Sequence, residues 1–515
     1  MHVRAAIRVP GLSVLVLAAG VVAVPAFGQR GYQVNVDAFG HDIIGDAANE
    51  PTIAVSPLDP NIIVVGWRQF DTVTSDRRRA GVAYTTDGGL TWTAGVLATP
   101  PGQPAGAGQT DPVLCVDSDG VFGYWSELFD PSPYTQYLYT SQTGGATWST
   151  PVKVVNPPVH GDKPWFVIDR TSGIGRGNLY GGWSSFSGNS YTIFTRSTDG
   201  GQNFSTPVRI ADLDGRQFML HFAIGPDGEL YAAWRHYPSN SIFVTKSINA
   251  QNPAVQPTFD ALGAGGVNGL DVKIDNGNDP GFPYLNPVGF HQIWLGVDCT
   301  DGPRRGWVYC VWSDARSDVC DIIFARSTDG GHTWQSGIRV NDDAFGNGRY
   351  QWMVAMDVAP NGRIDVVWYD TRDDPQNRRS ALYYSNSIDG GFTWSANQRI
   401  SDAFDTTIGY PVQQKIGDYN QIISADEVVH IIYAATFNGG EDIWYLPIAP
   451  FVAGDLNCDG LVDFGDINPF VLALTNPAAY AARYPGCPLM NGDIDGDGFV
   501  DFGDINPFVR LLTGP

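Results

Sequence analysis

Two acidic loops near the end of the chain contain the residues best suited to chemistry. In each loop, oxygen-bearing side chains occupy positions 1, 3, 5, 9 and 12, and glycine occupies position 6, where the chain must turn sharply. These side chains are Asp455, Asn457, Asp459, Asp463 and Asp466 in the first loop and Asp493, Asp495, Asp497, Asp501 and Asp504 in the second. The backbone carbonyls of Leu461 and Phe499 supply position 7. Oxygen ligands in this pattern predict two bound calcium ions.

Aspartate–arginine pairs form a second group of candidate residues. Asp314 and Arg316 lie two residues apart, as do Asp370 and Arg372, and each pair follows a tryptophan. Residues two apart on a strand face the same side, so we expect ion pairs that brace neighbouring repeats of the fold. The alternative is a rim of arginines that binds a substrate anion. Its candidates are Arg68, Arg235, Arg316 and Arg372.

Polar and aromatic residues form a third group, because they recur just before apolar stretches that are typical of strands. They are Glu50, Asp111, Asp162, Trp165, Trp294, Trp352 and Tyr410. We expect them to meet at one end of the fold, where aromatic faces and converging polar groups are typical of a sugar or peptide site. Asp111, Asp162 and Tyr410 are catalytic candidates, and Glu50 and the three tryptophans are substrate-binding candidates. The alternative is that these side chains only pack the repeats together and cap strand ends.

A repeat predicts the fold that must position these residues. An aromatic residue ends an apolar, β-branched stretch seven times, at intervals of 51 to 78 residues. These markers are Trp67, Trp125, Trp183, Trp234, Trp312, Trp368 and Tyr433. Each repeat is typical of a four-stranded antiparallel sheet, and such sheets cover their faces by packing around an axis. The sequence therefore predicts an all-β, seven-bladed β-propeller over residues 29–450.

The sequence also predicts how the ring closes. Residues 34–40 nearly duplicate residues 340–346, which follow the fifth repeat's strand-linking turn and form an outer strand in this interpretation. The seventh repeat ends near Pro450 without such a strand. We therefore expect residues 32–39 to complete the last blade and remove two free sheet edges.

A turn motif within the repeats indicates a family. The string Thr85–Trp92 recurs with variations at four further places and resembles the Asp box, S-x-D-x-G-x-T-W, of sialidases and related β-propellers. The resemblance implies that Asp87, Asp199, Asp329 and Asp389 hydrogen-bond their own turns and take no part in catalysis. It also implies a glycoside hydrolase of exo-sialidase type, with three arginines, an acid/base aspartate and a tyrosine–glutamate pair. Known sialidases have six blades, the alternative to seven, and the family's Phe/Tyr-Arg-Ile-Pro hallmark is absent here.

The two acidic loops resemble a second family. Their tandem arrangement, with aspartate at position 12, is similar to a type I dockerin module of the kind found on secreted planctomycete proteins. The resemblance covers residues 454–515 and implies a calcium-dependent module that docks a cohesin-like protein. The loops begin 38 residues apart, which is longer than the usual dockerin repeat.

The remaining features concern location and partners. Residues 1–28 have the basic start, 13-residue apolar run and small final residues of a signal peptide, and the run is short for a membrane span. A formal charge of -23 excludes a nucleic-acid backbone as partner. We expect a disulfide between Cys458 and Cys487 and regard one between Cys310 and Cys320 as possible.

Together these features predict a secreted propeller that acts on or binds extracellular glycans, with the calcium module over residues 451–515. The alternative is a non-catalytic propeller that binds a protein or polysaccharide partner at the cell surface.

Overall fold

The computed structural model describes residues 30–130, 134–155, 159–186, 191–210, 215–259, 272–276, 292–316, 319–412, 415–450, 452–458, 462–484, 487–495 and 499–513. The expected signal peptide lies outside them, as do three calcium-loop residues, Asp459, Leu461 and Asp497. Among the described residues, no helix is long and apolar enough to cross a membrane.

Seven antiparallel sheets form the blades of a β-propeller. The first strand of the chain is β1 (Tyr32–Gln33), and blade 1 contains β2 (Ala47–Val55), β3 (Ile63–Phe70), β4 (Arg78–Thr85) and β5 (Thr93–Val96). Blade 2 contains β6 (Gly108–Val116), β7 (Phe122–Asp130), β8 (Thr135–Ser141) and β9 (Val152–Lys153). Blade 3 contains β10 (Gly161–Ile168), β11 (Leu179–Ser185), β12 (Thr192–Ser197) and β13 (Val208–Arg209).

The remaining blades follow the same order. Blade 4 contains β14 (Gln217–Ile224), β15 (Leu230–His236), β16 (Ser241–Ser247) and β17 (Val272–Asn276). Blade 5 contains β18 (Trp294–Val297), β19 (Val308–Asp314), β20 (Asp321–Ser327) and β21 (Ile338–Arg339). Blade 6 contains β22 (Gln351–Val358), β23 (Ile364–Asp370), β24 (Arg379–Ser387) and β25 (Gln398–Arg399), and β26 (Phe404–Asp405) also pairs with β24. Blade 7 contains β27 (Gln421–Ser424), β28 (Val429–Ala435) and β29 (Asp442–Ile448), completed by β1.

The seven aromatic markers explain why the chain divides in this way. Each lies on the second strand of its blade, and all seven are at most 1% exposed. Large aromatic side chains buried at one repeated position supply most of the apolar area that a small sheet can bury. The predicted seven blades are therefore confirmed, and the six-bladed alternative is excluded.

Ring closure is confirmed as well, because β1 pairs with β29 in the last blade. The amide of Val34 donates to the Ile443 carbonyl at 2.8 Å, and the Asn35 amide group donates to Asp442 Oδ1 at 2.6 Å. Asn35 Oδ1 in turn accepts from the Ile443 amide at 2.9 Å. Val34 and Asn35 are both buried, so the N-terminal segment is an integral part of blade 7.

The turn carboxylates make local hydrogen bonds. Asp87 accepts from the backbone amides of Leu90 and Thr91 at 3.0 Å, and the Thr91 hydroxyl donates to its second oxygen at 2.6 Å. Asp199, Asp329 and Asp389 likewise each accept from the backbone amide four residues later. A carboxylate bonded in this way stabilises its hairpin and is unavailable as a catalytic group.

The C-terminal segment has a separate small core. It contains α1 (Ile467–Thr475), α2 (Pro477–Arg483) and α3 (Ile505–Thr513), with single 3-10 turns at Phe464–Asp466, Leu489–Gly492 and Phe502–Asp504. The rings of Phe470 and Phe508 lie 4.3 Å apart between α1 and α3. Cys458 and Cys487 form a disulfide with their Cα atoms 5.6 Å apart.

The possible disulfide between Cys310 and Cys320 is corrected by the structure. Within the described residues these two cysteines are not bonded to each other. Cys310 is paired across the β19–β20 ladder with Ala325, five positions beyond Cys320. Five positions along a strand correspond to roughly 16 Å, far beyond the reach of a disulfide. The Cys320 thiol donates instead to the Gln351 carbonyl at 2.8 Å.

Deleting residues 30–40 should open blade 7 and destabilise the propeller. The deletion exposes apolar surface that Val34 covers and removes both hydrogen bonds of Asn35, a loss of roughly 3–6 kcal/mol. We expect a lower melting temperature by circular dichroism. Phe39→Ala is the control, because Phe39 is 84% exposed and its removal should leave the melt unchanged. An unaltered melt in the deletion variant would contradict closure by this segment.

Candidate functional site

A backbone irregularity at the start of several inner strands builds the candidate site. Glu50, Asp111 and Lys163 have φ values of 54°, 49° and 55°, in the left-handed region that non-glycine residues seldom adopt. Each lies where the pairing register between the first and second strands of its blade shifts, which marks a bulge. Met219 and Met353 occupy the same bulge in blades 4 and 6. The bulge position is therefore charged in blades 1 to 3 and apolar in blades 4 and 6.

Six charged side chains from blades 1, 2, 3 and 7 meet at this end of the axis. We call them the axial ion cluster: Glu50, Arg68, Asp111, Lys163, Lys415 and Asp418. Lys163 Nζ lies 2.9 Å from Asp111 Oδ2 and also contacts Asp418 Oδ2. Lys415 Nζ lies 2.6 Å from Asp418 Oδ2 and 3.3 Å from Glu50 Oε1. Arg68 lies 3.2 Å from Glu50 Oε1, so three cations balance three carboxylates.

Burial and ion pairing oppose each other in the axial ion cluster. Burial alone would lower the pKa of Lys163, but Asp111, Asp418 and Glu50 outweigh it and hold that pKa well above its usual range. Burial would likewise raise the pKa of Glu50, but Arg68 and Lys163 hold it low. Lys163 and Glu50 therefore both stay charged at neutral pH, because each has partners of opposite sign.

Aromatic side chains fill the axis beside the cluster. The Trp165 ring lies 5.2 Å from Trp294, 4.7 Å from His221 and 5.8 Å from Tyr419, between ring centroids. Burial lowers the pKa of His221 to about 3, and its neutral ring accepts the Leu295 amide at Nδ1. Trp165 and Trp294 are 3% and 2% exposed, so the two indoles pack the axis and offer no open face to a ligand.

Three further carboxylates lie at the edge of the axial ion cluster, between blades 2 and 3. Asp111, Glu127 and Asp162 each place one oxygen within 4.8 Å of the others, and we call them the acidic trio. Asp111 and Glu127 are buried and Asp162 is half-buried. Burial, followed by the charges of Asp162 and Asp111, raises the pKa of Glu127 well above its usual range. The trio therefore contains a carboxyl group that favours its protonated form.

A partly exposed aromatic pair, Tyr134 and Phe186, lies beside the acidic trio. The rings of Tyr134 and Phe186 meet edge to face with centroids 5.6 Å apart, and Phe186 is 45% exposed. Burial, then the charges of Asp162 and Glu127, raises the pKa of Tyr134, so its phenol remains protonated. This end of blades 2 and 3 thus combines an accessible aromatic face, a hydroxyl group and carboxylates.

The structure places the four candidate arginines in separate interactions. Arg68 belongs to the axial ion cluster, and Arg235 is 1% exposed and donates to the Ser313 carbonyl at 3.4 Å. Arg316 and Arg372 contact Asp314 and Asp370 at 2.5 Å and 2.8 Å. These are the predicted Asp–Arg pairs, and they leave the arginines engaged with carboxylates of the chain.

The polar and aromatic candidates that precede the inner strands do not all meet at the axis. Glu50, Asp111 and Asp162 lie in or beside the axial ion cluster, and Trp165 and Trp294 lie next to it. Trp352 packs against Tyr369 at 5.0 Å and donates to Ser380 Oγ at 3.1 Å, within blade 6. Burial and the Glu441 carboxyl raise the pKa of Tyr410, which is opposite to what a tyrosine nucleophile requires.

Sequence reasoning did not single out Lys163, Lys415, Asp418 and Glu127 as site residues. A signal existed for Glu127, because it lies two residues after Trp125, where blades 5 and 6 have Asp314 and Asp370. No local pattern distinguished Lys415 and Asp418, because Asp418 contacts Lys163 from a distant part of the chain and Lys415 contacts Glu50.

Comparisons with known proteins find only remote similarity. No protein-family model matches the chain, and no curated protein resembles it closely enough in sequence to be a relative. Among solved structures, a Hadza microbial sialidase is 14% identical and covers 81% of this chain and 68% of its own, with a TM-score of 0.43.

Two further solved structures are similar to the same extent. An alpha-L-arabinofuranosidase from Fusarium graminearum is 12% identical over 82% of this chain and 97% of its own, with a TM-score of 0.43. An ulvan lyase is 10% identical over 82% of this chain and 94% of its own, with a TM-score of 0.44. At these identities and TM-scores, none of the three indicates a substrate for this chain.

Replacing Lys163 by methionine should destabilise the propeller. The variant leaves Asp111 and Asp418 without their shared cation in a buried site, at a cost of about 3–5 kcal/mol. Methionine already occupies the same left-handed bulge in blades 4 and 6, so the backbone itself should tolerate Lys163→Met. We expect a lower midpoint in urea. The matched control is Arg305→Met, which breaks the exposed ion pair with Asp227 and should change stability by under about 1 kcal/mol. Equal effects of the two variants would show that the axial ion cluster contributes no more than a surface pair.

Proposed function

We propose that this chain is an extracellular propeller that binds a neutral polysaccharide at the end of blades 2 and 3 where Tyr134 and Phe186 lie. The observation behind the proposal is the half-exposed Tyr134–Phe186 pair beside the acidic trio. An aromatic face can stack on the apolar face of a sugar ring, and carboxylates accept hydrogen bonds from sugar hydroxyls. A formal charge of -23 favours a neutral glycan over an anionic one, because like charges repel.

Binding is a better account of this end of the propeller than hydrolysis of the sialidase type. A sialidase-type site needs three arginines that converge on a substrate carboxylate. Here Arg68, Arg316 and Arg372 contact carboxylates of the chain itself. A substrate anion would have to displace those carboxylates, and each displaced carboxylate would lose its partner in a partly desolvated site.

We propose further that the C-terminal segment is a dockerin-like module that binds two calcium ions and through them a cohesin-like protein. Two observations support the metal sites. Asp493, Asp495 and Asp504 place one oxygen each within 4.8 Å of the others. Asp466 and Asp504, at position 12 of their loops, accept equivalent backbone hydrogen bonds from positions 2 and 3. The described parts of the two loops thus close through the same hydrogen bonds, and the second loop brings three carboxylates together.

The proposed location follows from the same parts of the chain. A signal peptide over residues 1–28 would export the protein, and the disulfide between Cys458 and Cys487 is compatible with an oxidising compartment. In this proposal the propeller binds the glycan and the calcium module attaches it to an assembly or a surface.

Phe186→Ala should abolish glycan binding. Native gel electrophoresis of the full chain with galactomannan, arabinoxylan or laminarin in the gel should show retardation by at least one of them. Removing the half-exposed ring deletes the stacking surface, and we expect retardation to fall at least tenfold at equal polysaccharide concentration. Phe345→Ala is the control, because Phe345 is 72% exposed but lies in the segment between β21 and β22, outside blades 2 and 3. Equal retardation of wild type and Phe186→Ala would assign the sugar to another surface, and no retardation of the wild type would contradict the proposal.

Asp459→Ala and Asp497→Ala should each remove one calcium ion. Each variant deletes the position 5 ligand of one loop, and a calcium loop that loses a carboxylate loses most of its affinity. Isothermal titration of the chelator-treated full chain should give a stoichiometry lower by one in each variant. Asp301→Ala, at a fully exposed aspartate outside the loops, should titrate like wild type. An unchanged stoichiometry in both loop variants would rule out the assignment.

A further inference from the structure

We infer that Asp111, Glu127 and Asp162 form a binding site for one divalent cation of the calcium class, separate from the C-terminal loops. The three carboxylates come from two blades and are brought together by the propeller, with one oxygen of each within 4.8 Å of the others. Oxygen-only ligands select calcium or a similarly hard cation over zinc and copper.

Within the part of the chain that the structure describes, the remaining contacts of the acidic trio leave one carboxylate oxygen of Glu127 without a hydrogen-bond partner. Asp111 Oδ1 accepts from the Thr110 hydroxyl at 2.9 Å, and Asp162 Oδ1 accepts from the Lys163 amide at 2.8 Å. Glu127 Oε2 accepts from the Gln136 amide group at 2.7 Å. Glu127 Oε1 is buried and has no hydrogen-bond partner among the described residues, although the side chain is 0% exposed. A buried carboxylate oxygen without a partner is costly unless a cation or a proton occupies it.

A comparison of the blades shows why Glu127 is left in this state. In blades 5 and 6 the residue two positions after the marker tryptophan accepts the indole N–H at 2.8 Å and 2.9 Å. These residues, Asp314 and Asp370, also pair with an arginine two positions further on. Each therefore has both an indole donor and a cation from the chain.

Blade 2 has neither of these partners for its acidic residue. The Trp125 indole donates to Gln136 Oε1 at 2.8 Å, which fixes the Gln136 amide and directs its NH2 group to Glu127 Oε2. The position of the arginine is occupied by Phe129. The blade thus retains the acidic residue and lacks the arginine that neutralises it elsewhere, so Glu127 is neutralised either by a proton or by a cation from outside the chain.

Size and charge both fit calcium. Calcium–oxygen distances are about 2.3–2.6 Å, so two oxygens on opposite sides of the ion lie roughly 4.8 Å apart. Lys163 contacts only Asp111 within the trio and supplies one positive charge. A divalent ion would balance the other two carboxylates. Its remaining coordination positions would be open to water or to hydroxyl groups of a ligand.

Terbium luminescence can test whether the acidic trio binds a cation. Residues 454–515 contain no tryptophan. Trp125, in contrast, hydrogen-bonds to the Gln136 side chain, which in turn hydrogen-bonds to Glu127. Excitation of tryptophan in the chelator-treated full chain should therefore sensitise terbium bound at the trio, and the trio variants separate this emission from that of terbium in the loops. We expect saturable emission that added calcium displaces.

Two variants decide whether the trio is responsible. Glu127→Gln should weaken terbium binding at least tenfold, and so should Asp162→Asn, which keeps the oxygen that accepts the Lys163 amide and lies at a half-buried position. Asp162→Asn therefore provides the test if Glu127→Gln fails to fold. Glu441→Gln, at another buried glutamate, is the matched control and should bind like wild type.

Several outcomes would overturn the inference. They are the absence of saturable tryptophan-sensitised emission in the wild type, emission that calcium cannot displace, and unchanged terbium affinity in both trio variants. The assay uses the metal alone, so a failure to bind polysaccharide would not affect it.

Discussion

The fold depends on the neutralisation of charge where the inner strands converge. Glu50, Asp111 and Asp418 are almost completely buried, and each contacts at least one of three cations that are themselves largely buried. A buried charge without a partner would cost several kcal/mol, so the strands that supply these groups must take up fixed relative positions. Because Asp418 comes from blade 7 and Glu50 from blade 1, the same interactions join the two ends of the ring.

Sevenfold architecture does not produce a sevenfold site. One bulge position is Glu50, Asp111 or Lys163 in the first three blades and methionine in blades 4 and 6. The charged half of the axis adjoins the acidic trio and the Tyr134–Phe186 pair. A repeat thus supplies a common scaffold, and substitutions at one repeated position give it a single polar side. This asymmetry is why we look for ligands at blades 2 and 3.

Much of the fold could be predicted from the sequence because its main signals are local and repeated. Each blade has its own buried aromatic marker, and the closing segment resembles an outer strand found elsewhere in the chain. The site was only partly predictable. Trp165 follows its bulge residue by two positions and contacts Trp294 of blade 5, whereas Trp352 directly precedes its bulge residue and packs within blade 6. The pairing of Lys163 with Asp418 joins residues 255 positions apart, which no local pattern indicates.

Ring closure by the N-terminal segment has a consequence for how the protein is made. Val34 emerges from the ribosome about 400 residues before Ile443, its partner in the final blade. At ordinary rates of synthesis this separation amounts to tens of seconds or more, during which the first segment has no strand to join. Six blades can form while the chain is still growing, but the seventh cannot be completed until nearly all of it has been synthesised. The unpaired edge during that interval is the stage at which the nascent chain is most exposed to misassociation, and a truncated chain would never leave it.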